Sequence, residues 1–578
     1  MHSGKFYDKV DALEQATFSE VRQKTRQRLS IIGISTLVLI AIIVVAVVAT
    51  NRGSSEDKTD GNTPSASLST TIKAICDATL HPSSCLATLA PLANSNSLDP
   101  TKLFLFSVEA AMSELSKASK AFVELAREGS GVDKMSLAAL TDCRELIDLA
   151  IDHLNDSISS PDISSGDVVE DLKTWLSASI TNQDTCIDGL TNSTDELMKS
   201  RVLNAMKNST ELTSNSLAIL TEVYNFIGSI KLRRLMSHSD DVYSSPSWLS
   251  WKDRRLLQSS SDPRKMADIV VAKDGSTKYK TIMKALKAVP EKSKKRFIIY
   301  VKKGVYYENV KVEKTQWNVI MVGDGKDATI ISGSLNFVDG TPTFQTATFA
   351  VFGKGFMARD MGFRNTAGPQ KHQAVAMMSH ADESVFYRCR FDAYQDTLYA
   401  HSLRQFYREC DIYGTVDFIF GNAAVVLQKC NILPRLPMPG QQDTITAQGK
   451  VDPNQNTGIV IHDCTVRPSG NLSSTSVRVY LGRPWKPYST TLFIRSTLAS
   501  FIDPSGWLPW TGNSAPDTIF YAEYQNYGAG SSTKKRVRWK GLRSLTSEQA
   551  ARFSVGSFIG AGGDKWLPKT GVPFNSGL

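Results

Sequence analysis

The chain has 578 residues, of which 41% are apolar and 21% charged. It is too long for one ordinary core and too apolar for a disordered polymer. Its formal charge of +9 is uneven: from Ser261 onward 41 Lys+Arg face 25 Asp+Glu (+16), which leaves −7 for the first 260 residues. A basic second half points to an anionic partner, and nucleic acid, anionic lipid and acidic polysaccharide are the candidates. Eight cysteines without a C-x-x-C pair argue against a zinc site, so no metal is expected.

In chain order, residues 1–30 form a polar tail carrying Lys5, Lys9, Arg22, Lys24, Arg26 and Arg28. Residues 31–49 are an unbroken run of 19 apolar or small residues, about the length of a bilayer-spanning helix. With the positive charges ahead of it, the run reads as a signal anchor that leaves the tail in the cytosol and sends the rest into the secretory lumen. A cleaved signal peptide is the competing reading, but the run is long for one. Sequons at Asn155, Asn192, Asn208 and Asn471 suit glycosylation in that compartment. So do cysteines free to pair there.

Residues 50–69 are a Ser/Thr/Asp/Gly-rich linker. Over 70–230 the apolar spacing is helical. Phe104, Val108, Ala111 and Leu115 mark one stripe, and Leu140, Cys143, Ile147, Ala150 and Leu154 another. The expectation is an antiparallel four-helix bundle stapled by two disulfides, with Cys76, Cys85, Cys143 and Cys186 as the cysteines available. Residues 231–264 form a second linker. It holds Arg233-Arg234-Leu235-Met236 and Arg254-Arg255-Leu256-Leu257, and this repeated dibasic form reads as a processing site.

From 265 to 578 short β-type runs alternate with Gly, Asn, Asp and Pro. A weak repeat links Val385–Phe391, Gln405–Ile412, Val425–Ile432, Gly458–Val466 and Thr491–Leu498. Its first three cysteines, Cys389, Cys410 and Cys430, are 21 and 20 residues apart. A strand-bearing repeat of this length fits a parallel β-helix, whose coils bury their apolar faces only by stacking. The cysteines would then form a ladder in which any two on adjacent rungs can bond.

The same period governs the candidate chemistry. Asp396 and Asp417 are 21 residues apart, and Gln373 and Gln395 are 22 apart. One rung therefore places two carboxylates side by side. They cannot both ionise cheaply, so the pair splits into an acid and a base or nucleophile. Arg483 is a candidate for holding one member charged, and the two amides can supply neutral donors to an oxyanion. A lone Asp after a strand is usually a turn residue. Here acid, acid, amide and amide share one period, and that marks a site.

Gly304-Val305-Tyr306-Tyr307-Glu308, Gln373–Ala376, Tyr394–Tyr399, Asp417–Gly421 and Leu481–Trp485 stand in an order that resembles the pectin methylesterases, over roughly Ala267 to the C-terminus. The helical segment resembles the pectin methylesterase inhibitor domain, so the whole is similar to the long precursor form of the plant enzymes. The resemblance implies a right-handed parallel β-helix that hydrolyses C6 methyl esters of homogalacturonan in the cell wall, a carboxylic ester hydrolase with no cofactor. It implies Asp417 as nucleophile and Asp396 as general acid and then base. Gln373 and Gln395 become oxyanion donors, Arg483 the group that holds Asp417 and helps bind substrate, and Thr343 and Trp485 further substrate contacts. It also implies a Cys410–Cys430 disulfide, a subtilisin-like processing protease and proteinaceous pectinesterase inhibitors as partners, and an autoinhibitory helical domain. No nucleic acid is expected, and membrane contact is expected only through the N-terminal anchor. One departure is visible: Met377-Met378-Ser379-His380 stands where the family usually has Leu-Arg and a small loop. It bears on substrate preference and not on the catalytic positions. A polygalacturonan hydrolase would need further Asp-Asp and His motifs, which are not found. A non-catalytic wall-binding protein would have no use for the intact acid and amide set.

Overall fold

The computed structural model describes residues 68–232 and 263–578, apart from short stretches at 95–98, 129–132, 161–162, 164, 191–194, 471, 473–476 and 560–562. The apolar run 31–49, the two dibasic sites, Asn192 and Asn471 lie outside the described residues. Among the described residues no helix is long and apolar enough to cross a membrane.

The first unit is helical. Two short helices, α1 (Leu68–Asp77) and α2 (Pro82–Leu89), lead into α3 (Pro100–Glu128), α4 (Lys134–Ile158), α5 (Gly166–Gly189) and α6 (Glu196–Leu232). Both sequence stripes are buried: Phe104, Val108, Ala111 and Leu115 on α3, and Leu140, Cys143, Ile147, Ala150 and Leu154 on α4, are all 0% exposed. Helices α3 and α5 pack along α6. The bonds Cys76–Cys85 and Cys143–Cys186 staple the unit, the second joining α4 to α5. Asn155 and Asn208 are exposed on α4 and α6.

The second unit is a right-handed parallel β-helix. Three sheets of 11, 7 and 8 strands run along it, and neighbours within a sheet are about three strands apart in sequence, one complete coil. Every ladder is parallel, which suits strands buried on both faces. Inside, aromatic residues stack rung on rung. Phe386 lies 4.7 Å from Tyr407 and 5.9 Å from Phe356, and Phe363 lies 5.6 Å from Phe391. One corner repeats a left-handed residue at Asp360, Arg388, Glu409, Lys429, Asp463 and Arg495. These six alternate in sign along the stack, and Arg388 grips both oxygens of Asp360 at 2.7 and 2.8 Å. Charge pairing across the corner thus offsets part of the backbone strain and favours one register.

The expected Cys410–Cys430 disulfide is not present. Cys389, Cys410, Cys430 and Cys464 form the anticipated ladder, but all four are buried free thiols. Each sulfur is already part of the backbone network. The Cys389, Cys410 and Cys430 N–H groups donate to the sulfur one rung on, at 3.3–3.4 Å. The Cys410 thiol in turn donates back to the Phe386 carbonyl at 3.4 Å.

Candidate active site

The seven-stranded sheet carries the site. Its strands in chain order are β1 (Val310–Val312), β2 (Phe349–Val351), β3 (Met377–Ser379), β4 (Leu398–Ala400), β5 (Ile419–Gly421), β6 (Asp443–Gln448) and β7 (Val479–Gly482), paired in that order. Leu398 on β4 is in register with Ile419 on β5, so Asp396 and Asp417, each two residues earlier, occupy adjacent rungs. The Asp396 N–H donates to the Val416 carbonyl at 3.1 Å, and the Ala374 N–H to the Gln395 carbonyl at 3.3 Å. Gln373, Gln395-Asp396 and Asp417 therefore follow each other along one edge of the sheet, as their spacing predicts. Both aspartates have positive φ, 61° and 52°. Non-glycine residues held there are strained, and such strain concentrates at functional sites.

The two carboxyl groups sit in different electrostatic settings. Asp417 is gripped by Arg483, Nε to Oδ1 at 2.8 Å and Nη2 to Oδ2 at 2.6 Å. The Thr444 hydroxyl donates to Asp417 Oδ1 at 2.6 Å and accepts the Asp417 N–H at 2.8 Å. Asp396 has no such ion pair among the described residues. Burial, reinforced by the Asp417 charge and only partly opposed by Arg483, holds its carboxyl well above the usual carboxylate range. One member is thus an ion-paired carboxylate and the other a buried carboxyl whose surroundings favour its protonated form. The Gln395 carboxamide oxygen is buried without a partner among the described residues. That amide is not committed to the protein on its acceptor side and can turn its N–H towards a ligand.

Arg483 follows Gly482, which is in register with Thr446 on β6. A side chain at 482 would collide with the Thr446 hydroxyl, so only glycine lets β7 approach closely enough to deliver the guanidinium. Aromatic residues run along the same sheet. Tyr399 stacks on Phe420 at 4.1 Å, Trp485 lies 6.1 Å from Phe420, and Trp510 lies 6.4 Å from Trp485. Trp510 also covers the Arg483 guanidinium at 4.3 Å, a cation–π contact that holds the arginine in place. Thr343 opens a 3₁₀ turn, Thr343–Gln345, ahead of β2 and is half-buried. The strand it leads into, β2, stands three rungs from β5, with Phe349 in line with Met377, Leu398 and Ile419.

The Pectinesterase family model matches residues 268–563, just over half the chain, and the Plant invertase/pectin methylesterase inhibitor model matches residues 70–219. The chain belongs to the pectinesterase family. It is 55% identical to Putative pectinesterase/pectinesterase inhibitor 24 of Arabidopsis thaliana over 99% of both chains. It is 48% identical to Pectinesterase 3 of Phaseolus vulgaris over 100% of this chain and 99% of that one. Among solved structures, pectin methylesterase from carrot matches with 53% identity and a TM-score of 0.53, covering 54% of this chain and 98% of that one. Pectinesterases are carboxylic ester hydrolases, and the acid–carboxylate pair fits that chemistry.

Linear spacing shows neither Thr444 as a support of Asp417 nor the place of Trp510 in this pectinesterase site. Thr444 carries the coil period one rung beyond Asp417, but the loop after Pro434 stretches the interval to 27 residues and hides it. Trp510 lies on a loop outside the repeat, so its place over Arg483 has no periodic signal.

Proposed function

We propose that this chain hydrolyses the C6 methyl esters of homogalacturonan, releasing methanol and leaving a demethylated polymer in the cell wall. The observation that carries this reading is the split pair: Asp417 ion-paired to Arg483 beside a buried Asp396 whose carboxyl is pushed towards its protonated form. Asp417 Oδ attacks the ester carbonyl, and the oxyanion is met by amide N–H groups from Gln373 and Gln395. Collapse breaks the carbonyl–OCH₃ bond while Asp396 gives its proton to the departing methoxide, so methanol leaves and an acyl anhydride on Asp417 remains. Asp396, now a carboxylate, takes a proton from water as that water adds to the substrate carbonyl. The anhydride opens, Asp417 is regenerated as a carboxylate, and the galacturonic acid departs. Thr343 and Trp485 contact the polymer, Trp485 through its ring face.

The remaining roles form part of the same proposal. Residues 31–49 anchor the precursor, a subtilisin-like protease cuts at the dibasic sites, Asn155, Asn192, Asn208 and Asn471 carry glycans, and the inhibitor-like unit silences the enzyme until the cut. Tethering supports the last point: a linked partner reaches an effective concentration of about millimolar, so weak affinity suffices. Parallel methanol and reducing-end assays on esterified homogalacturonan test the reaction. Methanol without new reducing ends is expected, and new reducing ends would replace the reading with a glycoside hydrolase.

A further inference from the structure

Asp443 is the first residue of β6. It is 0% exposed, yet neither carboxyl oxygen has a hydrogen-bond partner among the described residues. Its N–H donates to the Arg478 carbonyl at 3.0 Å, and it stands in register with Val479, which belongs to the apolar interior of the β-helix. Two ionisable residues flank it in the fold, Arg478 on the chain entering β7 and Asp417 on the turn before β5. Neither sets its titration: burial alone pushes its carboxyl up to about 8. The group is therefore an uncharged acid throughout the acidic and neutral range, and its proton is the condition for leaving it where it is.

The residue after it is Thr444, whose hydroxyl both donates to Asp417 Oδ1 and accepts the Asp417 N–H. Successive strand residues face opposite sides. One short backbone segment thus carries a core-facing carboxyl on one side and the second support of Asp417 on the other. We propose that Asp443 is a positioning residue for Asp417: uncharged, it lets β6 seat Thr444 against the catalytic carboxylate, and its ionisation unseats that hydroxyl and closes the activity on the alkaline side. An unpaired charge in the apolar interior is relieved by water entering or by the start of β6 lifting from β5 and β7, and either movement shifts Thr444. The inference rests on Asp417 being the nucleophile.

The test compares the full chain with its Asp443→Asn variant across pH 5–9.5, by equilibrium unfolding and by methanol release. In the wild type the folded state keeps a proton that the unfolded state has lost, so its stability falls as pH rises from the ordinary aspartate range to about 8. The ratio of folding constants, variant over wild type, should therefore grow about tenfold per pH unit up to pH ~8 and then level off. Asp396 titrates in both proteins and cancels in the comparison. The ratio of kcat values should stay near one at pH 6 and rise about tenfold by pH 9, with KM unchanged. A folding ratio independent of pH, or identical alkaline limbs of kcat, overturns the proposal. Asp443→Ser is the second variant and carries the same two outcomes if the amide does not fold. Failure of the nucleophile reading is read separately, as turnover by a folded Asp417→Asn protein, so the two failures are distinguishable.

Discussion

Replacing Thr444 by valine removes one hydroxyl at nearly constant shape and strips two hydrogen bonds from Asp417, at 2.6 and 2.8 Å. The first is to a charged carboxylate, a class worth about 1.5–3 kcal/mol, and the second leaves a buried N–H without a partner at a further cost of about 1–3 kcal/mol. Asp417 is 5% exposed, so water does not readily replace either bond. Arg483 still grips both oxygens, and the carboxylate remains present but turns more freely. If the whole of the first term is expressed in the transition state, kcat falls about 10- to 100-fold, at ~1.4 kcal/mol per decade. The second term appears as lost stability. Thr444→Ser keeps the hydroxyl and should stay within about threefold of wild type by the same conversion. Initial rates of methanol release, with denaturant unfolding on the same preparations, separate the two terms. Wild-type kcat in a folded Thr444→Val protein would refute the assignment of Thr444 as a support of Asp417.

Asp396→Asn cannot protonate methoxide, and kcat should fall by about 10²–10⁴ with KM little changed; a variant with near-normal rates would remove the acid. Because Asp396 stays protonated in the folded state above the ordinary carboxylate range, it lowers stability as pH rises, and Asp396→Asn should flatten part of that dependence in thermal melts. Arg483→Leu leaves Asp417 as an unpaired buried charge at a cost of about 3–5 kcal/mol, seen as a lower denaturant midpoint together with lost turnover; an unchanged midpoint would contradict the ion pair. The +16 charge from Ser261 onward should hold the protein on demethylated pectin at ~20 mM salt and release it at ~500 mM, where screening acts within about 5 Å. Changing Arg233, Arg234, Arg254 and Arg255 to serine should give an uncut chain that is retained or inactive, and full activity from it would end the autoinhibition proposal.

How much was legible follows from the coil period. Where a turn of the β-helix takes 20–22 residues, as from Gln373 to Gln395 and from Asp396 to Asp417, linear spacing converts directly into neighbouring side chains. Once a loop is inserted the conversion fails, and Thr444 went unseen although it bonds the residue that was found. Arg483 was placed by its motif, but the close approach that Gly482 permits appears only in three dimensions. The cysteine ladder was legible and its bonding was not, since adjacency between rungs sets position and leaves side-chain direction open. In the helical unit a 3.6-residue stripe gives position and direction at once, and both stripes and the four stapling cysteines stand as read.

The most direct test of the central claim is the rate of methanol release from esterified homogalacturonan by purified wild-type protein and by Asp417→Asn. An amide in place of that carboxylate has no nucleophilic oxygen anion and no ion pair to offer Arg483. The account predicts methanol from the wild type and none above background from a folded Asp417→Asn protein, while turnover by that variant at a rate comparable to wild type would contradict it.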